Sequence, residues 1–167
     1  MSIEVRDYGV TADGQQVKQY IMANKQGMKA VLLNYGAVIT ELHVQDKEGV
    51  LRDVVWGYDS IAGYEGNNTG FGSVIGRSAN RIGGARIEIA GKQYELQKNN
   101  GENNLHGGEP GYNCRMWKGV IADDNKLEFS MESPDGDQGF PGNANVKISY
   151  TLTEDNELRI EYEASAD

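Results

Sequence analysis

Gly76-Arg77-Ser78-Ala79-Asn80-Arg81-Ile82 opens the stretch on which the reading of this chain turns. Two alternating runs follow, Arg86-Ile87-Glu88-Ile89 and Gln93-Tyr94-Glu95-Leu96, on either side of Ala90-Gly91. The stretch closes with Asn99-Asn100-Gly101-Glu102-Asn103-Asn104-Leu105-His106-Gly107-Gly108. Alternation at period two around a small-residue turn is the signature of a tight β-hairpin. A hairpin framed by two segments rich in Arg, Asn, His and Gly holds polar chemistry on a β scaffold.

Outward from this centre the same period recurs. Val38 to Val44 places Val38, Leu42 and Val44 on one face, with Glu41 and His43 on the other. Lys126 to Ser130 and Asn145 to Thr153 read as further strands. So does Leu158 to Ala164, where Leu158, Ile160 and Tyr162 alternate with Arg159, Glu161 and Glu163. Asp123-Asp124-Asn125 and Glu154-Asp155-Asn156 carry turn residues. One helical turn is predicted over Ser60 to Tyr64, with Asp59 or Ser60 as N-cap. Many short strands with regular turns point to an all-β sandwich or barrel. Asn99 to Asn113 and Ser133 to Asn143 interrupt the rhythm, and long loops on such a scaffold are where binding residues gather.

Composition narrows the function classes. The 167 residues suit a single domain, 1–167, and the 22 glycines suit a fold with many turns. A net charge of −9 argues against nucleic acid and anionic membranes, both of which need clustered Lys and Arg. No apolar run approaches a membrane helix, and the first residues lack a secretory h-region. Cys114 is the sole cysteine, which fits a reducing compartment, so a cytoplasmic location is expected. Asn67-Asn68-Thr69 forms a glycosylation sequon with no secretory context. Gly70-Phe71-Gly72 through Gly76 has the wrong spacing for a dinucleotide fingerprint. Asp135-Gly136-Asp137 starts like a calcium loop, but Phe140 stands at the required glycine and Val146 at the bidentate Glu. With no zinc-type ligand spacing either, no cofactor or metal is expected.

The motifs together resemble the aldose 1-epimerase (galactose mutarotase) family. Gly76 to Ile82 is similar to its G-R-x-x-N-R-I segment, and Asn103 to Gly108 to its N-x-L-H-G-G. Asn34-Tyr35-Gly36-Ala37 and Pro134-Asp135-Gly136-Asp137-Gln138-Gly139-Phe140-Pro141-Gly142 match two further family segments, and Gly111 and Trp117 fall at expected places. The resemblance implies a large antiparallel β-sandwich, of which this chain is the N-terminal portion. It implies a hexose substrate such as galactose or glucose, with Asn80, Arg81 and His106 contacting it and His106 serving catalysis. The side chains suit such contacts. Arg81 offers a fork of donors, Asn80 a donor and an acceptor, and His106 a titratable donor. Arg77 is expected to be structural, His43 an exposed strand residue, and Cys114 not a nucleophile.

Interconverting anomers requires a base at the C1 hydroxyl and an acid at the ring oxygen. The family's second histidine and its catalytic glutamate belong to segments that would follow Asp167. The two histidines present are His43 and His106. The expectation is therefore a polypeptide that orients the sugar but is inactive alone. Uncovered strand edges and apolar faces would favour self-association or a chain supplying the C-terminal half. The alternative reading is a non-catalytic carbohydrate-binding module or regulator on the same scaffold.

Overall fold

The computed structural model describes residues 2–66 and 69–167, so Asn67 and Asn68 of the sequon lie outside the described residues. Five strands come first: β1 (Ser2–Val10), β2 (Gln16–Ala23), β3 (Lys29–Leu33), β4 (Ile39–Gln45) and β5 (Leu51–Asp53). They form one antiparallel sheet in chain order. After a five-residue helix, α1 (Ile61–Glu65), the chain makes β6 (Arg81–Ile82), β7 (Arg86–Ile89), β8 (Lys92–Glu95) and β9 (Asn104–Leu105). A second antiparallel sheet closes the sequence: β10 (Lys118–Asp123), β11 (Lys126–Ser133), β12 (Ala144–Leu152) and β13 (Leu158–Ala166).

Alternation dictates which side chains meet between the two sheets. Tyr20, Met22, Ala30 and Leu32 of the first sheet join Leu127, Phe129, Ile148, Tyr150 and Leu152 of the second in one buried cluster. Tyr20 meets Phe129 edge to face at 5.4 Å, a geometry favoured by the ring quadrupoles. Tyr150 donates its hydroxyl to the Ala37 carbonyl at 3.0 Å, which satisfies a polar atom that packing would otherwise strand. Burial pushes the titration of that phenol upward. On the other face of the first sheet, Val17, Leu33 and Val38 pack under Ile61 and Tyr64 of α1.

Two expectations need correction here. Val38 does not share a face with Leu42 and Val44. Leu32 pairs with Ile39 and Val31 with Glu41, so Thr40 is an extra residue that reverses the alternation. Ile39, Leu42 and Val44 therefore face the intersheet core, while Val38 packs beneath the helix. Thr40 caps the irregularity by donating its hydroxyl to the Val31 carbonyl at 3.2 Å. His43 is not an exposed residue either; it is half-buried and bonds Glu41 Oε2 at 2.8 Å. Residues two apart share a strand face, which brings this pair together.

The Ala90-Gly91 hairpin forms as expected, with positive φ of 50° and 79° at the two turn residues. That combination matches the strand twist in a two-residue turn. At the far edge of the second sheet, β13 pairs only with β12 among the described residues. Ile160 and Tyr162 on it are 41% and 64% exposed, an apolar margin of the kind anticipated from the sequence. Among the described residues no helix is long and apolar enough to cross a membrane.

Candidate functional site

The segments Gly76–Ile82 and Asn99–Gly108 come together because their backbones touch. Arg81 pairs with Leu105 and Ile82 with Asn104 in the short β6–β9 ladder. One step further out, His106 donates its backbone N–H to the Asn80 carbonyl at 3.0 Å. Gly107 then packs on Gly76: a Cβ at Gly107 would overlap the Gly76 carbonyl, 2.5 Å from its carbon. With φ of 84° at Gly107 and 98° at Gly108, the paired glycines are a steric requirement of this corner.

Asn80 and His106 also hold left-handed backbone conformations, with φ of 62° and 55°. Such angles cost a non-glycine residue roughly 1–2 kcal/mol and concentrate at functional sites. Backbone and ring are interlocked. The Asn80 backbone N–H donates to Nδ1 of His106 at 3.0 Å. An N–H can only donate, so Nδ1 must present its lone pair, and the neutral ring carries its proton on Nε2. Arg81 donates from Nη1 to Asn80 Oδ1 at 3.2 Å and from Nε to Asn100 Oδ1 at 3.0 Å. All three residues are solvent-exposed. The cluster thus offers one imidazole N–H of fixed tautomer beside an exposed guanidinium.

A cavity of about 770 Å³ lies against this cluster, lined by His106, Asn99, Asn100, Glu109, Asn113 and Cys114 among others. His106 is on its wall; Asn80 and Arg81 are not, and they reach it through His106 and Asn100. Asn100, Asn113 and Glu109 are wall residues that sequence reasoning does not single out. The density of Asn in the loop is the available signal, but it is ambiguous, because most of these amides brace the loop. Asn99 bonds both the N–H and the carbonyl of Leu105, at 2.7 and 2.9 Å, standing in for a strand partner. Asn104 reaches the Gln97 carbonyl at 2.8 Å, and Asn103 accepts from Gly84 at 3.1 Å. Burial pushes the Cys114 thiol up, which disfavours the thiolate and agrees with a non-nucleophilic residue.

The loop at residues 133–143 serves the site from behind. Arg77 donates from Nε to Ser133 Oγ at 2.9 Å and from Nη1 to the Pro141 carbonyl at 2.8 Å. Its Nη2 reaches the carbonyls of Ser133, Pro134 and Gly142 at 2.8, 2.9 and 2.9 Å. Arg115 forms a two-pronged pair with Asp137 at 2.6 and 2.8 Å, both side chains largely shielded. Burial works to raise the Asp137 carboxyl's pKa, but bonds from Arg115 and Ser133 outweigh it and hold the group below its ordinary range. Arg77 is thus a structural residue, and this loop is an anchor more than a binding surface. No group of three or more His, Cys, Asp or Glu among the described residues is placed to hold a metal.

Residues 18–167 match a family model described as aldose 1-epimerase. Galactose mutarotase from Bos taurus is 41% identical over 139 residues, covering 83% of this chain and 40% of its own length. Aldose 1-epimerase from Escherichia coli K12 is 36% identical over 155 residues, covering 93% and 45% respectively. Among solved structures, an aldose epimerase homologue from C. elegans superposes with a TM-score of 0.83 at 39% identity, over 88% of this chain and 45% of that one. A galactose 1-epimerase from Lactobacillus acidophilus, at 24% identity, has the same fold with a TM-score of 0.86, over 99% of this chain and 49% of that one. The chain spans less than half the length of these relatives.

Proposed function

The chain belongs to the aldose 1-epimerase family, and from that premise we propose that its site orients a free hexose such as galactose or glucose for interconversion of the α and β anomers. His106 donates from Nε2 to a sugar oxygen, Arg81 binds vicinal oxygens through its outward donors, and Asn80 keeps both in place. The observation that carries this reading is the 3.0 Å bond from the Asn80 N–H to His106 Nδ1. It gives a neutral imidazole one defined donor, which is what polarising a ring or hydroxyl oxygen requires. A charge-assisted bond from Arg81 contributes about 1.5–3 kcal/mol, enough to orient a sugar without trapping it.

Ring opening also needs a base at the C1 hydroxyl, opposed across the sugar to the acid. Glu109 is the carboxylate on the cavity wall, three positions from His106 on the same loop, where we assign it no role as that base. We therefore assign residues 1–167 the sugar-orienting wall of a larger sandwich, with negligible epimerase activity unaided and a soluble, cytoplasmic setting. The apolar margin of β13 supports association through that edge, with another copy or with a chain carrying the remaining catalytic groups. Calorimetry with galactose and glucose, paired with polarimetry, tests the reading. Saturable binding without rate enhancement is expected, and that binding is to be lost in Arg81→Ala. Full enzymatic rates from this polypeptide would overturn the assignment of inactivity; absence of any sugar binding would overturn the site itself.

A further inference from the structure

A second cavity, of about 600 Å³, lies on the outer face of the first sheet. Its wall combines Trp56, Tyr58 and Phe71 with Glu41, Asp53 and Asp59. The aromatic part is organised. Phe71 stacks on Tyr58 at 5.8 Å between centroids, and Trp56 stands perpendicular to Phe71 at 6.0 Å. Trp56 is 79% exposed, so this large ring faces water although it stands against Phe71. Asp53 is positioned by N–H bonds from Leu42 and Val55 at 3.0 and 3.1 Å.

The charge balance of this wall decides what fits it. Lys29 and His43 both bond Glu41 at Oε2, each at 2.8 Å. Among the described residues neither Asp53 nor Asp59 has an ion pair, and no Lys or Arg lines the cavity. The nearby Tyr8 hydroxyl is pushed up to about 12, first by burial and then by the charges of Tyr64, Asp59 and Glu41. A neutral polyol can donate its hydroxyls to these carboxylates, but it carries no charge to balance theirs. An ammonium ion asks for carboxylates and π faces, and this wall offers both.

We propose that the cavity bounded by Trp56, Phe71, Asp53 and Asp59 binds a small organic ammonium ion, independently of the sugar site. The cation rests against the aromatic faces while the carboxylates neutralise it. Trp56 reports the event directly, because Trp117, the other tryptophan, is buried and bonded through Nε1 to the Tyr112 carbonyl.

The test is a fluorescence and calorimetric titration of the intact chain with choline and with n-butylammonium at low ionic strength, using galactose as the neutral probe. Saturable change in the exposed-tryptophan emission is expected with the ammonium ions and not with galactose, weakening as salt is added. Asp59→Asn and Trp56→Phe should each weaken choline binding about threefold, the scale of one partly solvated charge or cation–π contact. Arg81→Ala should leave it unchanged, which separates this result from the fate of the sugar reading. Among the described residues Asp59 makes no side-chain hydrogen bond or ion pair, so its variant should keep the parent's circular dichroism and melting temperature. No saturable choline binding, equal binding of galactose, or an unchanged affinity in a folded Asp59→Asn protein would each overturn the proposal.

Discussion

Arg77→Met removes the guanidinium that ties the family segment at residues 76–82 to the loop at 133–143, while keeping the aliphatic stem. Five bonds are lost, to Ser133 Oγ and to the carbonyls of Ser133, Pro134, Pro141 and Gly142. Bonds to a charged donor contribute about 1.5–3 kcal/mol each when removed singly. They share one cation and are not additive, and water can reach the more exposed acceptors such as Pro134. The net cost is therefore set near the value for breaking a partly buried network, about 3–5 kcal/mol. For a chain of this length that corresponds to a fall in melting temperature on the order of 10 °C. Urea denaturation followed by circular dichroism at pH 7 reads the loss. A change below about 1 kcal/mol would show that water replaces the guanidinium and that the loop is not anchored by it.

Asp137 links stability to pH. Its carboxyl titrates lower in the folded chain than in the unfolded one, so its contribution is full above the unfolded value of about 3.9 and is lost as pH falls through the folded value. Stability of the parent should drop in acid below about pH 4, and Asp137→Asn should be less stable at pH 7 with a shallower acid slope. In Gly107→Ala the new Cβ meets the Gly76 backbone at a positive φ, so a loss of about 2–4 kcal/mol is expected together with loss of sugar binding; a stable, sugar-binding Gly107→Ala protein would contradict the backbone contact. Cys114 shares the cavity wall with His106, so its labelling by a thiol reagent should be slow when folded and slower with galactose present. Labelling that galactose does not affect would place the sugar elsewhere.

The β architecture is legible in the sequence because period-two alternation reports burial directly, and Phe129, Ile148 and Tyr150 sit where alternation puts them. Val38 escapes that logic because a single inserted residue, Thr40, reverses the facing of everything before it, and a bulge leaves no mark in residue type. His43 escapes it because strand position says nothing of the Lys29–Glu41–His43 cluster that crosses between neighbouring strands. At the candidate site, the motifs mark the segments that carry Arg81 and His106, and the structure adds that Gly107 holds a positive φ against Gly76. Asn100 is not legible, since its role is to receive a bond from Arg81, 19 positions away, in a loop whose other asparagines serve the backbone. The Trp56 cavity leaves no sequence signal because its wall gathers residues from β4, β5 and the segments around 56–59 and 71 that share no motif.

The most direct measurement is a long-range proton–nitrogen spectrum of the two imidazoles, recorded as galactose is added. The neutral form of His106 should carry its proton on Nε2, and its Nε2 signal should move saturably with sugar while that of His43 stays in place. A His106 resonance in the Nδ1-protonated form, or one indifferent to galactose, would contradict the account at its centre.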